Sequence, residues 1–320
     1  MGGLLILFPG QGSQSAGMAE YLWDYSAARA TFAEAGETLG WDIGELCRHG
    51  SMEELTRTDR TQLAVLTCSV AVWRVLEENG APFMVAAGHS LGEYSALVAT
   101  GHLTFADALR VVEQRGRAMQ ACAKERGGAM AAIIGLESEI VEEICASFPE
   151  VWLANYNSPG QLAISGSVES VRAAGELAQD RGAKRVLALP VSGAFHTPFM
   201  GGAAETLSRA LAGVVFGAGT AHEAGGDGTG RGRFFSTTEM RHPEPDELGD
   251  VLARQLTSPV RFTQSMDALL LGSGAPDQGL EVGPGNVLTG LMKRIARDFP
   301  MRATGDGDGL QGAIDAFAAS

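Results

Sequence analysis

Gly88-His89-Ser90-Leu91-Gly92 sets a serine between two glycines, after the apolar run 83–87 and before a helical run that begins at Glu93. A G-x-S-x-G in that setting fits a nucleophile elbow. The strand-to-helix turn is strained, small residues flank the serine because backbones crowd there, and the helix N-terminus offers N–H groups to an oxyanion. The chemistry would be acyl transfer through Ser90. The bland alternative is a tight glycine-rich turn.

A serine of ordinary acidity needs a base. Of the six histidines, His89 adjoins the serine but should point away across the turn, and His49, His222 and His242 lie in polar or loop-like stretches. His102 follows a glycine at a helix end, whereas His196 stands in the turn-rich segment Pro190-Val-Ser-Gly-Ala-Phe-His196-Thr-Pro and is the best base candidate. No aspartate is placed to complete a triad. The expectation is a Ser-His dyad whose imidazole is oriented by a backbone or amide oxygen.

Phe8-Pro9-Gly10-Gln11-Gly12-Ser13-Gln14 closes the first apolar run, without the Lys-Ser/Thr ending of a P-loop or the spacing G-x-G-x-x-G. Loops at strand C-termini line the ligand crevice of a parallel sheet, so this one can approach the elbow and offer the Gln11 N–H beside that of Leu91 as an oxyanion hole. Arg115 lies in a helical run, 107–120, with Arg110 and Arg117. Composition alone favours a solvated face for all three.

The elements that must hold these groups read as α/β. Apolar runs at 4–8 and 83–87 alternate with helical patterns at 19–39, 43–48, 52–55 and 62–79, which implies a parallel sheet with helices on both faces. From 129 the rhythm becomes βαββαβ: strands at 129–134, 151–157, 161–165 and 185–189, helices at 138–147 and 168–181. That is the ferredoxin-like pattern, read as an insertion spanning 128–190 between the two parts, 1–127 and 191–320, of a large unit. The large unit resumes with helices near 202–212, 246–255 and 260–271, a strand at 233–236 and a final strand at 279–282. Residues 217–232, with seven glycines, read as a flexible surface loop.

Composition narrows the classes further. The chain has 320 residues, 45% hydrophobic and 19% charged, and a net charge of −14. It can bury a substantial core, and its acidity disfavours sequence-independent nucleic-acid binding and attachment to anionic membranes. Four scattered cysteines form no C-x-x-C pair, so neither a metal site nor a disulfide framework is suggested. No apolar run is long enough for a membrane span, and the run 4–8 is too short for a signal-peptide core. A cytoplasmic protein is expected.

Together the motifs resemble the malonyl-CoA:acyl-carrier-protein transacylase family, which includes the acyltransferases of polyketide synthases. The matching segments are FPGQGSQ at 8–14, TQLAVLT at 61–67, GHSLGEYSAL at 88–97, QRGRAM at 114–119, NYNSPGQLAISG at 155–166, SGAFHTPFM at 192–200, QLTSPVRF at 255–262 and EVGPGNVLTGL at 281–291. They run in family order over nearly the whole chain. The resemblance implies an α/β-hydrolase-like large subdomain with a ferredoxin-like small one. It further implies Ser90 as nucleophile, His196 as base, oxyanion-hole amides from Gln11 and Leu91, and Gln255 beside the histidine to orient it. Arg115 takes the position of the arginine that grips the substrate's free carboxylate, which reverses the solvated-face reading. A guanidinium fork binds a carboxylate bidentately and so selects dicarboxylic acyl groups. His89 and Asn157, inside matched segments, are expected to line the substrate site.

Phe195 before the histidine and Leu91 after the serine are similar to malonyl-selective members. The implied donor is malonyl-CoA, the acceptor the phosphopantetheine thiol of an acyl carrier protein, with no bound cofactor and a monomeric enzyme. Candidate carrier-docking groups are Lys293, Arg294, Arg297 and Arg302, or Arg181, Lys184 and Arg185. Segment 217–241 departs from the family pattern, and Asn286 stands where a lysine is common. The rival readings are a loader of an unusual substituted or carrier-bound malonyl unit, an acyl hydrolase acting on carrier proteins, a generic esterase and a non-catalytic scaffold.

Overall fold

The computed structural model describes residues 3–191, 193–217, 219, 232–272 and 274–318. Nine strands carry the site: β1 (Leu4–Phe8), β2 (Val85–Gly88), β3 (Ala129–Ile134), β4 (Val151–Ser158), β5 (Gln161–Gly166), β6 (Arg185–Ala188), β7 (Arg233–Phe235), β8 (Gln278–Glu281) and β9 (Met301–Ala303). They form a parallel five-stranded sheet, β7-β2-β1-β8-β9, and an antiparallel four-stranded sheet, β4-β5-β3-β6. Five helices matter to the site: α1 (Thr58–Glu78), α2 (Gly92–Ala99), α3 (Phe105–Arg126), α4 (Leu248–Gln255) and α5 (Val287–Ile295).

The central strand β1, Leu-Leu-Ile-Leu-Phe, is buried along its length, as a continuous apolar run covered on both faces should be. Its register pairs Phe8 with Gly88 and Leu7 with Glu281, so β1, β2 and β8 end at one level. The loops that leave them meet there, which places segment 9–14 against the elbow.

In the small sheet the alternation is clean. Ala131, Ile133, Leu162 and Ile164 face the helices Ser138–Ala146 and Val168–Asp180, and pack with Val141, Ile144, Val171 and Ala174. Met130, Ala132 and Ala163 point the other way, into a cleft between the two sheets. The sheets are also stitched together by backbone. Tyr156 N–H donates to Val260 C=O and Val260 N–H to Ala154 C=O, each at 2.9 Å.

Three expectations shift. The strand at 279–282 is not the last: α5, β9 and the helix Gly307–Ala318 follow it, and β9 extends the sheet edge. With only three residues, one of them the exposed Arg302, β9 has no apolar run to reveal it. The helix expected from 260 starts at Phe262, because Val260 is taken up by the pairing to β4. The run 19–39 is a 3₁₀ turn, Glu20–Asp24, followed by the helix Ser26–Leu39. In the loop 217–232, residues 218 and 220–231 lie outside the described residues, as does His222.

Candidate active site

The elbow is built by excluding side chains. Ser90 sits at φ 52°, in the left-handed region that costs an ordinary residue about 1–2 kcal/mol. A Cβ on Gly88 would lie 2.0 Å from the Gly92 carbonyl carbon, and one on Gly92 would lie 2.0 Å from the Phe8 oxygen. On Gly10 it would meet the His89 oxygen at 2.4 Å. Backbone touches backbone at all three positions, so only glycine fits. The crowding lifts Ser90 out of the turn and starts α2 immediately beyond it.

Ser90 Oγ lies 2.9 Å from His196 Nε2. On the far side of the ring, Nδ1 is 3.0 Å from the Gln255 backbone oxygen and 3.1 Å from that of Ser258. Both oxygens can only accept, so Nδ1 carries the proton and Nε2 presents its lone pair to the serine hydroxyl. His196 is itself held at φ 60°. Burial, followed by the positive charge of Arg115, lowers its pKa to about 3, so the free imidazole is neutral at physiological pH. The orienting oxygens are backbone, as the missing aspartate led one to expect.

Arg115 projects from α3 and is 1% exposed. Its NH1 donates to Gln62 Oε1 at 2.6 Å, and its NH2 to Gln255 Oε1 at 3.0 Å and to Ser90 Oγ at 3.1 Å. All three acceptors are neutral, and Nε has no partner among the described residues. Arg110 and Arg117 are exposed and paired with Asp107 and Glu113, the solvated-face behaviour expected of them. Gln62, on α1, was not singled out in the sequence. A glutamine inside the apolar segment 61–67 is the one signal that marks it.

Gln255 orients His196 through its main chain. Its side chain serves the other groups, Oε1 accepting from Arg115 while Nε2 donates to Ser90 C=O at 3.0 Å and to Glu93 Oε2 at 2.7 Å. Glu93 is the second residue missed, because acid in the first turn of a helix ordinarily reads as a solvated dipole partner.

Gln11 and Leu91 both line the cleft, of about 280 Å³, and among the described residues neither N–H is donated to another protein group. His89 Nε2 lies 2.9 Å from Asn157 Oδ1 on β4, so His89 turns away from the nucleophile and ties the elbow to the small sheet. Burial lowers its pKa. Phe195 is buried in the cleft wall with Met119 and Met130. Val287, Leu288 and Leu291 of α5 and Leu189 after β6 complete that wall, and of the basic residues proposed for docking Lys293 and Arg294 lie on α5. No group of three or more His, Cys, Asp or Glu among the described residues is arranged to hold a metal. No helix among them is long and apolar enough to cross a membrane.

A parallel α/β sheet with a serine elbow, a backbone-oriented histidine and a buried arginine at the nucleophile defines a serine-dependent acyl-transfer scaffold. Residues 6–299 match the acyl transferase domain family, and the chain belongs to it. It is 42% identical to the malonyl CoA-acyl carrier protein transacylase of Salmonella typhimurium, covering 97% of this chain and 98% of that protein. The enzyme of the same name from Bacillus subtilis strain 168 is 40% identical, over 98% and 97%. Among solved structures, a malonyl-transacylase in complex with a type II polyketide synthase acyl-carrier protein superimposes with a TM-score of 0.91. Its identity is 39%, covering 98% of this chain and 99% of that one. An acyl carrier protein S-malonyltransferase from Vibrio cholerae gives a TM-score of 0.88 and 41% identity, over 97% and 99%.

Proposed function

We propose that this chain transfers a malonyl group from malonyl-CoA to the phosphopantetheine thiol of an acyl carrier protein, in the cytoplasm and as a monomer, through malonyl-Ser90. The observation that carries the reading is Arg115: a buried guanidinium with only neutral partners, 3.1 Å from Ser90 Oγ. A cation so placed favours an acyl group that ends in a carboxylate, and it disfavours the uncharged chains a general hydrolase would clear.

In the first half-reaction His196 Nε2 takes the Ser90 proton as Oγ attacks the thioester carbonyl. The oxyanion rests on the Gln11 and Leu91 N–H groups. Collapse breaks the C–S bond, and the CoA thiolate leaves with the proton from His196. The carrier thiol then repeats these steps in reverse and frees Ser90. A malonyl carboxylate on Arg115 offsets the charge that helps hold the His196 pKa down, so binding the right acyl group strengthens the base. Phe195 narrows the wall where an α-branch would go, a discrimination of about 1–3 kcal/mol per methyl. Asn157, held by His89, lines the cleft that takes the acyl group. In this reading residues 128–190 are the inserted subdomain, and 1–127 with 191–320 the catalytic one.

The test is intact-protein mass after brief exposure to an equimolar mixture of malonyl-, methylmalonyl- and acetyl-CoA, beside Ser90→Ala. The expected result is a malonyl adduct on the unaltered protein alone, discharged by holo carrier protein. No adduct from any donor would overturn the reading.

A further inference from the structure

Glu93 is a buried carboxylate for which the reaction has no direct use. Its Oε1 accepts from Thr237 N–H at 2.7 Å and Thr238 N–H at 3.3 Å, and lies 3.1 Å from Ser236 Oγ and 3.0 Å from Thr237 Oγ1. That oxygen gathers the chain leaving β7. Its Oε2 accepts from Gln255 Nε2 at 2.7 Å. Glu93 and Gln255 are both 0% exposed. Burial pushes the Glu93 carboxyl up to about 7, against the hydrogen bonds from Thr237, Ser236 and Gln255 that favour its charge, and a carboxylate in so dry a place is costly unless that charge is used.

The bond to Gln255 is the informative one. An amide has a donor end and an acceptor end, and a carboxylate can only accept. Glu93 and the Ser90 carbonyl, both acceptors, therefore together fix which way the Gln255 amide faces, with NH₂ toward the two of them and oxygen toward Arg115 NH2, and the shorter bond is the one to Glu93. A reversed amide would set its NH₂ against the guanidinium and release Arg115 from one of its three acceptors.

Resting on the malonyl-transfer reading, we propose that Glu93 is a positioning residue for substrate selection. Through the Gln255 amide it aims the Arg115 guanidinium at the acyl carboxylate. Glu93, the Gln255 amide and Arg115 form a buried acid–amide–cation relay, in which the acid sets the polarity of the amide and the amide the place of the cation. Of Gln255, only the main-chain oxygen bonds to His196, not the side-chain amide, so the relay bears on which acyl group is accepted more than on the proton transfer.

Glu93→Gln tests this with almost no change of shape. A glutamine there must present NH₂ either to Gln255 Nε2 or to the Thr237 N–H, and each choice sets donor against donor. Rates of Ser90 loading are measured separately for malonyl-CoA and acetyl-CoA, with a thermal melt of each protein. The expected result is a folded variant whose malonyl loading falls about tenfold or more, the size of losing a charge-assisted hydrogen bond, while acetyl loading moves less than threefold. The loss should appear chiefly in KM for malonyl-CoA. Glu93→Asp, which keeps the charge but withdraws it by one methylene, should lower malonyl-over-acetyl selectivity in the same direction and serves if the glutamine variant does not fold. Equal falls for both donors, or unchanged selectivity in a folded variant, would overturn the proposal. Unaltered protein that loads no malonyl would instead sink the malonyl reading on which it stands.

Discussion

The two sheets that face each other across the cleft meet it in different ways. At the end of the parallel sheet, backbone meets backbone at Gly10, Gly88 and Gly92, Ser90 and His196 are held at positive φ, and the Arg115, Gln255 and His196 side chains are pinned by buried partners. The antiparallel sheet lines the cleft with Met130, Ala132 and Ala163 beside Asn155, Asn157 and Gln161, and of these polar side chains Asn157 is tied to His89. Its far edge, β6, is largely exposed. One sheet fixes the reacting atoms to within a bond's tolerance, while the other shapes the space beside them. Catalysis should therefore be brittle on the first side and forgiving on the second.

The harshest way to break that contrast is one methyl group on each side. Gly92→Ala drives a Cβ into the Phe8 oxygen and should cost at least about 10²-fold in acyl transfer, comparable to losing an oxyanion donor, with a melt lowered by several degrees. Gly175→Ala, on a helix behind the small sheet, meets only Val186 Cγ1 at 3.1 Å, and gains helix propensity of up to about 1 kcal/mol. Its transfer rate should stay within about twofold, and parity between the two variants would erase the distinction. Next in size is Arg115→Ala, which should lower malonyl loading by about 10²-fold, the loss of a buried charge-assisted pair, and leave acetyl loading far less changed. Undiminished malonyl transfer would remove Arg115 from substrate binding.

A pH profile sharpens the same point at the base. His196 works neutral, so activity is lost as pH falls through its pKa in the folded enzyme, and burial with the Arg115 charge moves that point down to about 3. In Arg115→Ala the larger of the two charge contributions that depress it is gone, so with acetyl-CoA the acid limb should move upward toward the ordinary value of about 6.5. An unmoved limb would show that the guanidinium charge does not reach the imidazole. On the forgiving side, Asn157→Ala frees His89 and should cost no more than about tenfold, the worth of one hydrogen bond. Smallest of all, Lys184→Glu with Arg185→Glu should raise the KM for carrier protein several-fold, in a salt-dependent way, and leave self-malonylation unchanged. If neither kinetic constant moves, those two residues are an ordinary solvated edge.

The same division governs what could be read from the chain beforehand. Ser90 stood out because its glycines and flanking elements are adjacent in sequence, and His196 because its turn-rich setting differs from that of the other five histidines. The ferredoxin-like order of the small sheet was legible from the succession of strand-like and helical runs between 129 and 189. Arg115 was not, since its helix also carries the truly exposed Arg110 and Arg117 and composition alone gave all three a solvated face. Only the likeness of the surrounding segments corrected that. Gln62 and Glu93 escaped altogether, because a polar residue on a helix looks the same whether water or a buried partner completes it. Their partners, Arg115 and Gln255, are 53 and 162 residues away.

The stitch between Val260 and β4 has a consequence for building hybrids of this enzyme with its relatives. Ser258, two residues before the stitch, holds the His196 ring, and β4 two residues beyond Asn155 carries the Asn157 that holds the elbow. Exchanging 128–190 as a self-contained cassette would cut a seam whose other half stays behind in the host. A working chimera should take residues 255–262 along with the insertion, and the unit of recombination is then two stretches of chain that lie about seventy positions apart in sequence but share one pair of hydrogen bonds.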